Sequence, residues 1–293
     1  MRIEVEFRRL WNSFLGRRPR QDYFTYWGWS QLDFLDGHVF PRIFHEMVGE
    51  AKALPFELFH EYKQPLSKFD PNEHLGRAQK EVLADGSCSF TFYDAKDAKY
   101  SLSLGHLAFE NTQYTEVYGT VARELIARDS VRASTVNLLK KCATIMDAEY
   151  LFAVEQDRIS AVYEEGRACV VRDCVVPMYT HKPARHLPLM PWVLVLGRKY
   201  IDFFGEARLN ALEGQEHSFI DDGHFCIISV DNPCIDQAKR EGIEVANKHV
   251  LGEDAFFQPT DPLGVAKGPE YRRVHKYMQD EPVGSKYSSK AAQ

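Results

Sequence analysis

The stretch that decides the fold is LPLMPWVLVLGRKYIDFFGEARLNAL at residues 187–212, continued by GHFCIISVDNP at 223–233 and by a segment ending in VLGEDAFF at 250–257. Residues 192–196 and 225–230 are almost entirely apolar, which is typical of strands that are covered on both faces. A short helix is predicted from Lys199 onward, between these two strands. The stretch therefore predicts two buried strands with helices attached to each.

A long helix is predicted over residues 234–251, after the second strand. Asp231 or Asn232 is a suitable cap for its start, Pro233 fits its first turn, and Gly252 fits its end. Helical periodicity divides its side chains into two faces. The face expected to be buried carries Ile235, Ala238, Val245, Ala246 and His249 or Val250, and the face expected to be exposed carries Asp236, Lys239, Arg240, Glu244 and Lys248.

Elements upstream of this stretch mix helices and strands. Alternating residues at 87–93 and 99–109, around the polar turn DAKDAK, predict a β-hairpin. Helices are predicted after Pro41 and over 72–83, 118–128 and 130–148, the last with Ser130 as its cap and with Val136, Leu139, Ala143 and Met146 buried. Strands are predicted at 149–154 and 168–176, and the aromatic cluster of residues 23–29 is assigned to the core.

These elements predict an α+β fold with a mixed or mainly antiparallel sheet flanked by helices. Three regions are expected along the chain. Residues 1–84 form a helical, aromatic-rich segment that packs on or precedes the main domain, residues 85–257 form the α+β domain, and residues 258–293, rich in Pro, Gly, Lys and Ser, form an extended tail.

Composition points to a globular protein of the cytoplasm. Apolar residues make up 44% of the 293, enough for a sizeable core, and no run approaches the roughly 20 apolar residues that cross a bilayer. The N-terminus lacks the apolar segment and cleavage site of a secretory signal. The six cysteines form no CxxC pair and are typical of reduced, buried residues.

The charge is distributed unevenly, and this bears on the partner. The chain has a net charge of −6, but its first 20 residues hold six arginines against two glutamates. The remaining body is therefore strongly acidic, which disfavours nucleic acid as the main ligand. An acidic body suits a basic protein partner, because opposite potentials accelerate encounter.

Catalytic signatures are absent from the sequence: it contains no GxSxG, GxxxxGK[ST], GxGxxG or HExxH motif. The densest group of potential ligands is His217, Asp221, Asp222 and His224, which could bind Zn²⁺ or Mn²⁺, although Asp-Asp-Gly before a strand is also an ordinary hairpin turn. Cys226 could form a thiol–imidazole pair with His224 or His217. No cofactor is expected.

Asp202 and Glu206 lie four residues apart in the short predicted helix. This spacing could give paired carboxylates for acid–base chemistry, although exposed acids on a helix face are far commoner.

The terminal block resembles bacterial immunity proteins, the intracellular inhibitors encoded beside polymorphic or contact-delivered toxins. The resemblance lies in PWVLVLGRKYIDFFG, a strand followed by a short helix with Tyr and Phe and a closing glycine, in the strand GHFCIISVDNP and in the helix ending HVLGEDAFF. It covers residues 85–257 and supplies no fixed active site. It implies a cytoplasmic protein that neutralises a cognate toxin by stoichiometric binding, and the acidic body suits a basic toxin.

The residues expected to contact such a toxin are exposed acids near loops, namely Asp202, Glu206, Asp221 and Asp222. Two alternatives stay open. One is a metal-assisted hydrolase that uses His217, Asp221 and His224. The other is an assembly component that docks through the basic helix predicted over residues 3–15.

Overall fold

The computed structural model describes residues 23–30, 39–50, 56–61, 67–70, 87–94, 99–109, 112–158 and 189–256, and the single residues 54, 73, 74, 76 and 187. Within this part of the chain, one large sheet is flanked by helices, which confirms the α+β prediction. All of the strand pairings described are antiparallel. None of the described helices is long and apolar enough to span a membrane.

The sheet contains ten described strands in the order β3-β2-β4-β5-β6-β1-β7-β8-β10-β9. Their bounds are β1 Tyr23–Ser30, β2 Leu58–Glu61, β3 Ser67–Lys68, β4 Ser87–Tyr93, β5 Tyr100–Phe109, β6 Thr112–Ala122, β7 Tyr150–Glu155, β8 Val193–Leu196, β9 Glu216–Asp221 and β10 His224–Ile228.

Six α-helices are described along the same residues. They are α1 Val39–Glu50, α2 Arg123–Ile126, α3 Asp129–Met146, α4 Arg198–Phe204, α5 Glu206–Asn210 and α6 Gln237–Leu251, and a 3₁₀ turn at Glu253–Ala255 follows the last.

The first strand occupies the centre of the sheet, because β1 pairs with β6 on one edge and with β7 on the other. Successive side chains of a strand point to opposite faces. Phe24 and Tyr26 accordingly belong to one buried cluster, while Trp27 and Trp29 belong to a second cluster on the other face. The prediction that the aromatic residues 23–29 form core is confirmed.

The two clusters cover the two faces of the sheet with different helices. On the first face lie residues of α1 and α3, including Phe44, Leu139 and Met146. On the second face, the ring of Tyr150 packs edge-on against Trp27 and against Tyr200 of α4, at centroid distances of 5.6 and 5.9 Å. Because both faces are covered, the central strands can be apolar throughout.

Several of the elements predicted from the sequence are present in the structure. The hairpin at 87–109 is confirmed as β4 and β5, and the strands at 192–196 and 225–230 are confirmed as β8 and β10. Gly205 closes α4 with a φ of +79°, a conformation that glycine adopts without steric cost. In α3, Leu139, Ala143 and Met146 are buried as predicted.

The predicted helix over 118–128 is wrong. Residues up to Ala122 belong to β6, and the helix α2 is only four residues long. The β-branched Val117, Thr120 and Val121 favour a strand, and β6 has a paired neighbour on each edge. The capping role predicted for Ser130 is also wrong, because α3 begins at Asp129 and makes no side-chain cap hydrogen bond.

The face predicted to be buried on the long terminal helix is wrong as well. Ile235, just before α6, and Val245 within it are 77% and 70% exposed. The buried face of α6 instead carries Arg240, Ile243, Glu244, Asn247 and Leu251. Helical periodicity predicted that the polar residues are exposed, because the pattern of one helix contains no information about partners from distant parts of the chain.

These buried polar side chains on α6 have such partners. Arg240 forms an ion pair with Glu155 at the end of β7, and both side chains are almost fully buried. Asn247 accepts a hydrogen bond from the Glu213 amide at 2.7 Å and donates one to the Glu213 carbonyl oxygen at 2.8 Å. The helix is therefore attached to the sheet by paired polar groups as well as by apolar contacts.

Several predictions lie outside the described residues. They are the basic helix over 3–15, the strand at 168–176 and the tail beyond residue 257, and most of the helix over 72–83 lies there too. The division of the chain at residues 84 and 257 stays a prediction.

The Glu155–Arg240 pair gives a first test. In Glu155→Met the guanidinium is left buried without its carboxylate, so the free energy of unfolding should fall by about 3–5 kcal/mol. Replacing both residues by Met removes both charges and should cost much less than the sum of the two single changes. Urea unfolding of the two single variants and the double variant measures this coupling. Strictly additive losses would contradict a coupled pair.

Candidate protein-binding surface

The turn between β9 and β10 is stabilised by its own first carboxylate. The Gly223 amide donates to Asp221 Oδ1 at 2.8 Å, which is the usual way an aspartate closes a tight turn. The Asp-Asp-Gly sequence therefore forms the hairpin turn that was one of its two interpretations. Asp222 lies at the tip of this turn and is exposed.

His224 connects this turn to the end of helix α3. Its ring is buried, and Nδ1 donates to Asp221 Oδ1 at 2.9 Å. Nε2 lies 3.7 Å from Oδ1 of Asp147, the residue that ends α3 in a left-handed conformation with φ +49°. The histidine thus bonds to the turn through Nδ1, and its other ring nitrogen faces the end of α3.

Arg198 contacts two of the acids that were predicted to bind a partner. Its Nη1 donates to the carbonyl oxygen of Asp222 at 2.8 Å, and its Nε lies 3.2 Å from Oδ1 of Asp202. Sequence reasoning missed this arginine, because the contact joins α4 to a turn 24 residues away. Arg198 therefore contacts the side chain of Asp202 and the backbone of Asp222, and both of these acids are exposed.

Glu206 does not share a helix face with Asp202. Helix α4 ends at Phe204, and Gly205 separates it from α5, in whose first turn Glu206 is exposed. The prediction that Asp202 and Glu206 lie on one helix is therefore wrong. Asp202 and Glu206 are both exposed carboxylates.

Two exposed aromatic side chains accompany these acids. Phe203 of α4 and Phe219 of β9 are 40% and 38% exposed. Each packs edge-on against a buried ring, Phe203 on Phe204 at 5.1 Å and Phe219 on Phe225 at 5.2 Å between centroids. Half-exposed aromatics that are held rigidly by a core neighbour are the side chains that anchor protein interfaces.

The predicted metal ligands are only partly brought together. Asp221 and His224 are in contact, but His217 lies opposite Ile227 further along the hairpin, in the wall of a separate groove. Among the residues that the structure describes, no group of three or more His, Cys, Asp and Glu side chains is arranged to hold a metal ion. The geometry gives the metal-assisted hydrolase no support.

Cys226 is not placed for nucleophilic chemistry. It lies inside β10 between β8 and β9 and is fully buried. Burial raises the pKa of its thiol to about 12, so the reactive thiolate is scarce at neutral pH. The predicted thiol–imidazole pair with His224 or His217 therefore has no basis in this environment.

Comparisons with known proteins identify the fold. No protein-family model matches the chain, and no curated protein sequence matches it significantly. Among solved structures, the chain is similar to the Pseudomonas aeruginosa T6SS protein PA0821, with a TM-score of 0.54 and 12% sequence identity over 88% of this chain and 80% of that one. The two chains share a fold. At this identity the likeness concerns architecture and transfers no site residue.

The Asp221 carboxylate gives a pH-dependent prediction. Partial burial works to raise its pKa, but hydrogen bonds from the Gly223 amide and from His224 outweigh burial and hold the pKa below its ordinary value. A lowered folded-state pKa stabilises the fold above the unfolded-state pKa, and this stabilisation is lost as the pH falls through the folded-state value.

We therefore expect Asp221→Asn to lower the melting temperature at pH 7 and to have a smaller effect at about pH 3, because part of the stabilisation by the ionised carboxylate is lost once the pH falls below the unfolded-state pKa. Thermal unfolding at the two pH values measures the difference. Asp222→Asn is the matched control, because it changes the adjacent, exposed carboxylate. An equal loss at both pH values would show that the charge of Asp221 does not stabilise the turn.

Proposed function

We propose that this protein is a cytoplasmic immunity protein that neutralises a cognate bacterial toxin by stoichiometric binding. The observation that carries the proposal is the shared fold with a T6SS protein across most of both chains. Immunity proteins neutralise contact-delivered toxins, so a fold shared with a secretion-system protein is consistent with this role. The resemblance of the terminal block to immunity proteins supports the same assignment.

The surface around the β9–β10 turn fits a binding role. Its carboxylates and its two exposed aromatic rings lie on strands of the main sheet and on the helices packed against it. His224 and Arg198 form hydrogen bonds with the turn. A preorganised surface loses little conformational entropy when a partner binds, so more of the contact energy appears as affinity. Asp202, Glu206, Asp221 and Asp222 are the acids we propose for toxin contact.

A basic toxin suits this surface. Carboxylates at the rim of an interface mainly accelerate encounter with a partner of opposite charge, and the acceleration weakens as salt is added. The same surface offers no arrangement for metal-assisted hydrolysis, so binding accounts for its side chains better than catalysis does.

Growth rescue tests the proposed function directly. The toxin domain is chosen from the variable C-terminal domains of large secreted proteins, with preference for one encoded immediately beside this gene. When that domain is produced in a bacterial host, co-expression of the wild-type protein should restore growth, and the purified pair should form a complex of fixed stoichiometry. Unabated toxicity, with no complex in solution, would refute the immunity function.

Charge reversal tests the proposed contact residues. The double variant Asp202→Lys, Asp222→Lys should slow association with that toxin domain by about tenfold at low ionic strength and should flatten the salt dependence of the association rate. Stopped-flow or surface-based kinetics measure both quantities. Glu124→Lys, compared with the single variant Asp202→Lys, is the control for charge reversal as such, because its carboxylate is also exposed but lies beside β6, four strands from β10. Identical kinetics for all variants would remove Asp202 and Asp222 from the interface.

A further inference from the structure

The last strand of the sheet has a free side among the described residues. β9 pairs with β10 on one edge, and no described strand pairs with its other edge. Its residues from Glu216 to Phe219 are all exposed. Proteins commonly protect such an edge with proline, with lysine or by keeping the strand very short. β9 is six residues long and contains neither proline nor lysine.

The direction of the backbone groups can be derived from the neighbouring strands. The Ser229 amide donates to the Trp192 carbonyl oxygen at 2.9 Å, so Ser229 faces β8. Because backbone groups alternate sides along a strand, Ile228 and Cys226 must face β9. The hydrogen bond from the Gln215 amide to the Ile228 carbonyl oxygen, at 2.8 Å, agrees with this assignment.

The register then identifies the groups that point outward. Glu216 lies opposite Ile228, and Ser218 lies opposite Cys226, so these two residues of β9 face β10. The amides and carbonyl groups of His217 and Phe219 therefore point away from the sheet. They present the hydrogen-bonding pattern that an added strand would complete.

A groove beside this edge can receive side chains of the added strand. It has a volume of about 620 Å³ and is lined by His217 together with Leu212, Ala238 and Gly242. A side chain built at Gly242 meets no atom within 4 Å, so this part of the wall is open. Strand addition gains affinity from the main chain and selectivity from pockets of this kind.

Charge indicates what binds at this edge. Residues 213–222 contain four carboxylates and no lysine or arginine. Two lysines from other elements lie nearby, since Lys140 pairs with Glu216 and Lys239 lines the groove, so the charge at this edge is still net negative. A second copy of the chain fits poorly, because pairing two β9 edges brings the carboxylates of both copies into one seam. Like charges directly opposite each other destabilise such a pair, whereas lysine or arginine at the facing positions stabilises it.

We propose that the outer edge of β9 binds an extended, basic segment of the protein partner as an additional antiparallel strand. This inference rests on the proposed function, since it names the surface through which the toxin is held. The backbone groups of His217 and Phe219 provide the hydrogen bonds, the groove beside Gly242 accepts a side chain, and the carboxylates of residues 213–222 select basic residues.

A peptide tests the edge without any toxin. The probe is acetyl-Lys-Val-Lys-Val-Lys-Val-Lys-amide, and the matched control peptide carries Glu in place of each Lys. On addition of the basic peptide to the full-length protein, the amide resonances of His217 and Phe219 should shift, and the Glu peptide should leave them unchanged. Equal effects of both peptides, or shifts confined to other parts of the protein, would overturn the proposal.

Two variants test the two parts of the edge. His217→Pro removes one outward amide, a substitution that edge strands accept, and should weaken peptide binding about fivefold or more, as expected for one lost hydrogen bond. His217→Ala keeps that amide and is its control. Gly242→Leu fills the groove on an exposed helix position and should also weaken binding, which keeps the test valid if the proline variant does not fold.

The toxin domain from the rescue experiment separates this inference from the proposed function. Capture by the wild-type protein, with a clear loss in His217→Pro and Gly242→Leu, supports the inference. Capture that is equally strong in both variants overturns the edge proposal and leaves the immunity function standing. No capture by the wild-type protein overturns the immunity function, and the peptide experiment then decides on the edge alone.

Discussion

The pairing of β1 on both of its edges is the constraint on which the rest of the structure depends. A strand in the middle of a sheet must satisfy two rows of backbone hydrogen bonds, and here it must also bury side chains on both faces. The aromatic residues of β1 meet this demand by reaching into two separate cores. The helices α3 and α4 then cover those cores from opposite sides, so each depends on the same central strand.

The terminal hairpin and α6 are joined to this frame differently. The hairpin is joined through the pairing of β10 with β8, and α6 is joined through specific polar contacts, Arg240 with Glu155 and Asn247 with the backbone of Glu213. Such contacts are strongly directional, and the cost of leaving one member buried without its partner is large. They fix the position of α6 relative to β7 and to the segment that precedes β9.

The sequence was sufficient to predict those elements whose signal is local. The hairpin of β4 and β5, the strands β8 and β10 and the buried stripe of α3 follow from alternation, from continuous apolar runs and from helical spacing. Sequence-based prediction failed where the burial of a residue depends on a partner that is distant in the chain. The buried face of α6 was inverted because Arg240 and Glu244 are polar by type, yet they are paired by Glu155 and Arg158 more than 80 residues away.

The candidate surface follows the same division. Asp202, Glu206, Asp221 and Asp222 could be selected from sequence, because acids next to turns are normally exposed. Arg198, which contacts both Asp202 and Asp222, could not be selected from the sequence. The outward backbone groups of β9 could not be selected either, since both features depend on which strands become neighbours. The order of strands in a sheet is a property of the whole chain, and no window of sequence encodes it.

The burial of Cys226 has a practical consequence. Its thiol lies one strand inside the β9 edge and stays protonated and inaccessible while β9 and β10 remain paired. A thiol-specific reagent can therefore reach it only when that part of the sheet opens. The labelling rate of this native cysteine thus reports the local opening free energy at the rim of the sheet, without the introduction of any probe.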